Sequence, residues 1–254
     1  MTRLKLYFDT LSQPSRSLLI FLETNKIPYE PKLVRLGKGE QNTPEFLKLN
    51  PLHQIPVIDD NGFVLRESVG ILRYLCREKN VADHWYPKDS KRQAKVDEYL
   101  EWQHLGTRLG CGMYFRLMWL EPLATGQTPD VKDIQRCKTQ MTNACDIIEN
   151  HWLKNKFICG DEISIADVLA AAELEQPSMY YLFYYDEHGQ ILIIFFVHLG
   201  LAGYDPRDGR PKLTEFMARV REATNPAYDE AHKIINAIVQ KYKGETPKKE
   251  KKSG

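Results

Sequence analysis

The first eighty residues switch between two hydrophobic periods. Apolar residues alternate over Leu4–Phe8, which predicts a β-strand, and after Gln13-Pro14 they recur at three and four residues, which predicts a helix. Asn61-Gly62 between two apolar runs is typical of a tight β-hairpin. In chain order the pattern predicts a strand at 4–8, a helix from 13, a strand at 29–36 and a helix at 43–49. Two strands, at 57–58 and 63–65, and a helix from 67 follow.

Strand-like alternation mostly stops after residue 80. Helical spacing predicts four helices, over 90–119, 130–155, 212–221 and 226–242. Ser164 and Asp167 have the spacing of a capping box, with Asp in the place of the usual Glu, before a further apolar helix. We therefore expect an α/β domain at 1–80, a linker at 81–89, an all-helical domain at 90–242 and a Lys-rich disordered tail at 243–254.

The segment 50–57 carries the first functional signal, because Ile55-Pro56 stands where a strand begins. Proline cannot donate to a sheet ladder, and only X-Pro bonds adopt the cis form at low cost. We expect this arrangement to leave the N–H and C=O of Ile55 free to face a ligand. Glu67-Ser68 then opens a helix, and helix N-termini bind anionic groups. The two features together predict a site for a small anionic peptide.

Composition narrows the class of protein without identifying it. The 254 residues carry a net charge of +1, and nothing in the bulk composition indicates nucleic-acid binding. We expect no signal peptide and no transmembrane segment. The five cysteines are odd in number and lack a Cys-x-x-Cys pair, so we expect free thiols, no metal site and a cytoplasmic location.

Six short motifs follow one another along the chain: Leu11-Ser12-Gln13-Pro14, Asn50-Pro51-Leu52 leading to Ile55-Pro56, Glu67-Ser68-Val69, Asp97-Glu98-Tyr99-Leu100, Trp102-Gln103-His104 and Gly209-Arg210-Pro211-Lys212-Leu213. In this order and spacing the chain resembles the glutathione S-transferases, most closely their theta class, from residue 4 to about 241. The resemblance implies a thioredoxin-like β-α-β-α-β-β-α domain followed by an all-α domain. It also implies a homodimer that takes glutathione as co-substrate and has no permanent cofactor.

The resemblance gives Ser12 the catalytic role, because the matching serine of theta-like enzymes donates a hydrogen bond to the sulfur of glutathione. Thiolate is the nucleophile, and a free thiol has a pKa of about 8.5. Lowering that pKa by about two units requires roughly 2.7 kcal/mol. One charge-assisted hydrogen bond of about 1.5–3 kcal/mol, with a helix dipole, is sufficient. Without the motif, Ser12 would be interpreted as a plain helix cap.

The rest of glutathione is expected on the same domain. The resemblance assigns the cysteinyl amide to the backbone of Ile55, beside Pro56, and the γ-glutamyl ammonium and carboxylate to Glu67 and Ser68. The structural alternatives are a first-turn acid for Glu67 and a plain N-cap for Ser68.

Three glutamines complete the expected glutathione-binding set. Gln13 belongs to it through the Ser12 motif, and Gln41 and Gln54 are expected at the glycyl end. This is a departure from the family, because theta relatives tend to carry basic residues there, and it weakens the attraction for the glycine carboxylate. Exposed polar loops are the alternative for Gln41 and Gln54.

We expect the electrophile to bind against the helical domain. Arg108 matches a theta pattern and adds positive charge near the sulfur; its alternative is an interhelical ion pair. Cys111, Tyr114 and Phe115 follow at helical spacing and either line an apolar pocket or form core.

An apolar segment at about 180–201 departs from the family pattern. Three interpretations remain open: a hairpin over the electrophile site or dimer edge, a membrane-surface contact, or a segment foreign to the mature functional form. The last is slightly favoured because removing the segment restores ordinary spacing.

The sequence thus predicts a glutathione transferase that conjugates glutathione to small hydrophobic electrophiles, namely alkyl or aryl halides, activated alkenes and epoxides. Reduction of organic peroxides is also expected, and the biological role is detoxification. The alternative is a non-catalytic glutathione- or ligand-binding dimerisation module of the same fold. The presence of Ser12, Glu67 and Ser68 favours the enzyme, whereas Gln41 and Gln54 weakly favour the module.

Overall fold

The computed structural model describes residues 4–127, 129–177 and 204–243. Four strands form one mixed sheet in the order β2-β1-β3-β4. Strand β1 (Leu4–Phe8) pairs in parallel with β2 (Glu30–Leu33) and antiparallel with β3 (Val57–Asp60), which pairs antiparallel with β4 (Phe63–Arg66). The predicted order of strands and helices along the chain is confirmed.

Three helices accompany the sheet: α1 (Gln13–Thr24), α2 (Pro44–Leu49) and α3 (Ser68–Glu78). Helix α1 is buried over most of its length, because it packs against α3 on one side and against the helical domain on the other. Between β3 and β4, Asn61 and Gly62 both have positive φ, of 55° and 93°, as a two-residue type I′ turn requires.

The second strand is shorter than predicted. Its ladder with β1 ends at Leu33, where residues 29–36 were expected. Beyond Val34 the backbone leaves the sheet, since the Leu36 N–H donates to the carboxylate of Asp9 at 2.9 Å. Two 3₁₀ turns then follow, at Leu36–Lys38 and Glu40–Asn42.

The second part of the chain is helical. Its helices are α4 (Ser90–Trp102), α5 (Leu109–Phe115), α6 (Glu121–Thr125), α7 (Val131–Ile147), α8 (Ile165–Glu175), α9 (Pro211–Thr224) and α10 (Ala227–Lys243). The first of the two long helices predicted from periodicity is interrupted by π-helical turns at His104–Arg108 and Arg116–Leu120, and the second ends in one at Ile148–Trp152. At the first of these turns an added Cβ on Gly106 would lie 2.5 Å from the ring of Trp102, so the close approach there requires glycine.

The capping box that opens α8 is present. Asp167 accepts from the Ser164 N–H at 2.7 Å and from the Ile158 N–H at 2.8 Å. Burial raises the pKa of the Asp167 carboxyl to about 6. Because its partners belong to the preceding loop, Asp167 fixes both the loop and the start of α8.

One apolar core extends through both parts of the molecule, from Leu4 and Leu6 of the sheet to Phe216 of α9. All five cysteines are free thiols. Within the described ranges there is no group of three or more His, Cys, Asp or Glu side chains that could hold a metal ion. A search of the same residues for a helix both long and apolar enough to cross a membrane finds none. The predicted insert at 180–201 and the tail from 244 lie outside the described residues.

Candidate active site

The sheet brings the predicted glutathione-binding segments to one edge. Val57 at the start of β3 pairs with Tyr7 near the end of β1 and with Arg66 at the end of β4. The loop after β1 therefore lies beside Ile55, which precedes β3, and beside Glu67, which follows β4. Since β2 runs parallel to β1, its carboxyl end leads toward the same edge and to the turn that carries Gln41.

Ser12 lies in the loop between β1 and α1 and is the N-cap of α1. Its Oγ accepts from the Ser15 N–H at 3.4 Å, and its own N–H donates to the Asp9 carbonyl at 3.0 Å. The side chain is largely buried. A hydroxyl oxygen that accepts a hydrogen bond as a helix cap still carries its own proton, which it can donate to another acceptor. Capping and donation to a ligand are therefore compatible at Ser12.

The loop that carries Ser12 is held by Asp9, a buried residue that the sequence reasoning missed. One carboxylate oxygen of Asp9 accepts from the Leu11 N–H and the other from the Leu36 N–H, both at 2.9 Å. Asp9 thus ties the end of β1 to the segment after β2. An Asp that bonds the backbone two residues on is a recognisable turn signal, whereas the bond to Leu36 is not readable from local sequence.

Ile55 has unpaired backbone groups outside the sheet, as the sequence predicted. The Ile55-Pro56 bond is cis, and Ile55 lies outside the β3 ladder. In the part of the chain that the structure describes, neither backbone group of Ile55 has a hydrogen-bond partner. Asn50, fully buried, shapes the loop before it: its side chain donates to the Gln54 carbonyl at 2.6 Å and accepts from the Leu52 N–H at 3.1 Å.

Glu67, not Ser68, has the N-cap position of α3, so the structural alternative of a plain N-cap at Ser68 is wrong. Ser68 is the first helical residue and is buried. Glu67 is exposed and has φ 66° and ψ 112°, a sparsely populated conformation for a residue with a Cβ. Such conformations cost about 1–3 kcal/mol and cluster at functional sites. This geometry has no local sequence signal.

The three glutamines lie around the same edge without forming a tight cluster. Gln13 is half-buried at the start of α1, and the side chain of Gln54 is exposed. Gln41 lies in the second 3₁₀ turn, where its buried Oε1 has no hydrogen-bond partner among the described residues. The structure therefore leaves an unpaired acceptor at Gln41.

Arg108 forms the interhelical ion pair that was its structural alternative. Its Nη1 donates to Oε1 of Glu173 on α8 at 2.9 Å. The Glu173 side chain is only 2% exposed, whereas that of Arg108 is 42% exposed. The guanidinium is thus anchored on one side and open to solvent on the other, so an ion pair and contact with a ligand are compatible.

Cys111 lies in the main core cluster. It is fully buried, and hydrogen bonding to Cys145 on α7, together with burial, raises the pKa of its thiol well above the usual range. Tyr114 and Phe115 are also buried, with Tyr114 in the main core cluster. A pocket-lining role for these residues stays a prediction.

The first domain is joined to α8 by Arg16, which the sequence reasoning also missed. Its guanidinium is completely buried and donates to the carbonyls of Thr10 at 2.8 Å and Ala172 at 2.9 Å, and to Oε1 of Gln176 at 2.5 Å. Burial lowers the pKa of Arg16 to about 10. Because Thr10 lies two residues before Ser12, this guanidinium fixes the Ser12 loop against the helical domain.

Comparisons with known proteins cover nearly the whole chain. The family models "Glutathione S-transferase, N-terminal domain" and "Glutathione S-transferase, C-terminal domain" match residues 4–77 and 113–224. Glutathione S-transferase theta-1 of Bos taurus and that of Homo sapiens are each 36% identical to the chain, over 91% of it and 88% of the relative.

Solved structures give the same picture. Human glutathione-S-transferase T1-1 in its apo form superposes with a TM-score of 0.78 at 32% identity, covering 95% of this chain and 97% of the other. A human theta-class glutathione transferase in complex with the glutathione conjugate of 1-menaphthyl sulfate has a TM-score of 0.80 at 32% identity, with 95% and 91% coverage.

Proposed function

The chain belongs to the glutathione S-transferase family, and from this premise we propose that Ser12 activates the thiol of glutathione for transfer to a small electrophile. The protein is a theta-like glutathione transferase, with glutathione as co-substrate. Relatives of the same class have been solved with glutathione or a glutathione conjugate bound. What remains to be assigned is which residues of this chain perform the reaction.

One observation carries the proposal for Ser12: its hydroxyl accepts the cap hydrogen bond from Ser15 and so retains its own proton as a donor. The N-terminus of α1 adds a partial positive charge at the same place. Both favour the thiolate over the thiol of a bound glutathione. The reaction needs no further base, because the stabilised thiol loses its proton to water at neutral pH.

The backbone of Ile55 is proposed to hold the cysteinyl part of glutathione, as an added strand would. Its unpaired N–H and C=O lie before Pro56, next to the ladder of β3. This orients the tripeptide so that its sulfur points toward the loop after β1.

The ends of glutathione are proposed to bind at α3 and at the glutamines. Ser68 and the N-terminus of α3 bind the γ-glutamyl carboxylate, and the exposed carboxylate of Glu67 binds the ammonium. Gln13, Gln41 and Gln54 donate hydrogen bonds toward the rest of the peptide. The side-chain amide of Gln41 donates through nitrogen, which leaves its Oε1 as the unpaired acceptor observed.

The electrophile is proposed to bind beside the exposed side of Arg108, with Tyr114 and Phe115 toward the apolar end. Alkyl and aryl halides, activated alkenes, epoxides and organic peroxides are the proposed substrate classes. The thiolate displaces halide from an alkyl or aryl halide, opens an epoxide and adds to an activated alkene. With an organic peroxide it attacks one oxygen and releases the alcohol, and a second glutathione then displaces water from the resulting sulfenic acid to give the disulfide. In each case the positive charge of Arg108 stabilises the developing anion.

The test is the turnover of Ser12→Ala with a panel of a halide, an epoxide and a hydroperoxide. At pH 7 the loss of a two-unit pKa shift reduces the thiolate fraction, and hence turnover, by roughly 25-fold. Glutathione affinity should change little, because Ile55, Glu67 and Ser68 remain. Asp89→Ala, which removes the N-cap of α4 away from the site, is the matched control for cap loss. Unchanged turnover in Ser12→Ala would remove this hydroxyl from the mechanism.

We further propose a cytoplasmic homodimer with the domain boundaries given above, at 1–80, 81–89, 90–242 and 243–254. Phe63 on β4 and Leu105 in the first π-helical turn are exposed large apolar residues, and a second copy would cover them. Light scattering after size-exclusion chromatography, with and without residues 180–201, tests the dimer and whether that segment contributes to it.

A further inference from the structure

The carboxylate of Glu173 lies between two guanidinium groups that come from different parts of the molecule. Arg108 in the first π-helical turn donates to its Oε1 at 2.9 Å. Arg16 of α1 donates to the carbonyl of Ala172, the preceding residue of α8, at 2.9 Å. The charges of both arginines oppose the effect of burial on Glu173, whose pKa is nonetheless raised. The charge of Glu173 therefore interacts with those of both arginines, and its direct hydrogen bond is to Arg108.

Two successive residues of α8 connect the two halves of the proposed active site. Ala172 is bonded to Arg16, whose other nitrogen holds Thr10 in the loop before Ser12. Glu173 is bonded to Arg108, which is proposed to face the electrophile. The positive charge of Arg108 is thus placed near the sulfur by the same short segment that holds the Ser12 loop.

Among the described residues, only Arg108 donates a hydrogen bond to the carboxylate of Glu173. Glu173 is 2% exposed, and in the described part of the chain its second oxygen, Oε2, has no hydrogen-bond partner. When only one oxygen of a buried carboxylate has a hydrogen-bond partner, its negative charge is stabilised mainly by neighbouring positive charges. The carboxylate in turn offsets those positive charges. Its effect on Arg108 acts at short range, because the two charged groups are joined by a hydrogen bond of 2.9 Å.

We propose that Glu173 determines how strongly the electrophile site prefers anionic substrates, because it balances the charge of Arg108. This inference rests on the proposed position of Arg108 at the electrophile site. With Glu173 ionised, Arg108 holds its side chain in place but attracts an acidic electrophile only weakly. Removing the negative charge leaves the positive charge of Arg108 unbalanced, so acidic electrophiles bind more tightly relative to neutral ones of the same shape.

The test compares the dissociation constants of two glutathione conjugates, S-(4-carboxybenzyl)glutathione and S-benzylglutathione, measured by calorimetry. The readout is the ratio of the two constants, which cancels general losses of affinity. In Glu173→Gln the relative affinity for the carboxylated conjugate should rise about fivefold. In the Arg108→Gln background the same substitution should leave the ratio unchanged, because Glu173 acts through Arg108.

Two further variants separate charge balance from a structural role. Glu173→Asp keeps the charge and should keep the wild-type ratio. Glu175→Gln is the matched control, because Glu175 lies two residues along α8 and accepts from Arg207 at 3.0 Å and from Tyr228 at 2.8 Å. It should not change the ratio. Thermal melting of each variant confirms that the comparison is made between folded proteins.

The outcomes distinguish this inference from the proposed function. If both conjugates bind but Glu173→Gln leaves the ratio unchanged, or changes it equally without Arg108, charge balance by Glu173 is wrong while the transferase assignment stands. If the ratio changes as expected but the wild type transfers glutathione to no electrophile in the panel, the proposed reaction fails and the charge balance holds. If the wild type binds neither conjugate, both are overturned.

Discussion

The glutathione half of the proposed site is made largely of backbone groups and helix ends, whereas the electrophile half is made of side chains that meet between the two domains. Ile55 offers its main chain, and Ser12 and Glu67 stand at the N-cap positions of two helices. Arg108 of the electrophile half, by contrast, reaches α8 from a position 65 residues away in sequence, and Arg16, which ties the Ser12 loop to α8, does so from 156 residues away. The sheet ladder fixes most of the first half, whereas buried charge fixes the second half and its junction with the Ser12 loop.

This difference predicts opposite responses to substitution. Groups held by a sheet ladder keep their places when a neighbouring side chain changes. A network of buried charges does not, because removing one member leaves the others unpaired. We define the domain seam as Arg16, Glu173, Gln176 and Arg108, and expect the largest stability effects there.

The largest expected effect is that of Arg16→Met, which removes a fully buried guanidinium and leaves three acceptors without this hydrogen-bond donor. The free energy of unfolding in urea should fall by about 3–5 kcal/mol. Arg221→Met is the matched control, because Arg221 is 58% exposed and pairs with Asp229, so its loss should cost less than about 1 kcal/mol. Similar small losses for both variants would show that the seam does not hold the domains together.

The next effect concerns His232 of α10, which lies near Arg16 and donates from Nδ1 to the Tyr228 carbonyl at 2.9 Å. Burial, and then the charge of Arg16, lowers the pKa of His232 from 6.5 to about 4. The unfolded chain binds the proton below about pH 6.5, the folded chain only below about pH 4. Stability is therefore full above pH 6.5 and decreases by about 3 kcal/mol as the pH falls to 4.

The measurement is the difference in unfolding free energy between the wild type and His232→Gln across this pH range. The difference cancels the titration of all other groups that the two proteins share. As the pH falls from 6.5 to 4, the wild type should lose stability relative to the variant. A pH-independent difference would mean that His232 is not held neutral at the seam.

The smallest effect belongs to the glutathione half. Glu67→Gly removes the Cβ from a residue with φ 66°, and the unfolding free energy should rise by about 1 kcal/mol. The Michaelis constant for glutathione should rise at the same time, because the carboxylate is lost. Glu67→Gln separates the two effects. Glutamine keeps a Cβ at this strained position but has no negative charge, so this variant should bind glutathione less tightly without becoming more stable. A destabilised Glu67→Gly would show that the observed conformation stores no strain.

The strand and helix order could be predicted from sequence because each element has a local signal. Pro14, Thr43-Pro44 and Asn61-Gly62 mark starts and turns through their own backbone preferences. The candidate Ile55 was found in the same way, from the proline that follows it, whereas Ser12 was found only through the resemblance to the glutathione S-transferases.

The rest depends on contacts between distant residues, which one sequence does not reveal. The pairing of Asp9 with Leu36 shortens β2, and the meeting of Trp102 with Gly106 accompanies a π-helical turn in a helix predicted to be regular. Arg16 appeared as one polar residue on an apolar helix. Only the packing of α1 against α8 shows that it is buried and bonded.

The central claim is that the Ser12 hydroxyl stabilises the thiolate of bound glutathione, and ultraviolet titration of the binary complex tests it most directly. Thiolate absorbance at increasing pH gives the pKa of the bound thiol in the wild type and in Ser12→Ala. The account predicts a wild-type pKa about two units below the free value of about 8.5, and a return toward the free value in the variant. Equal pKa values in the two proteins would contradict it.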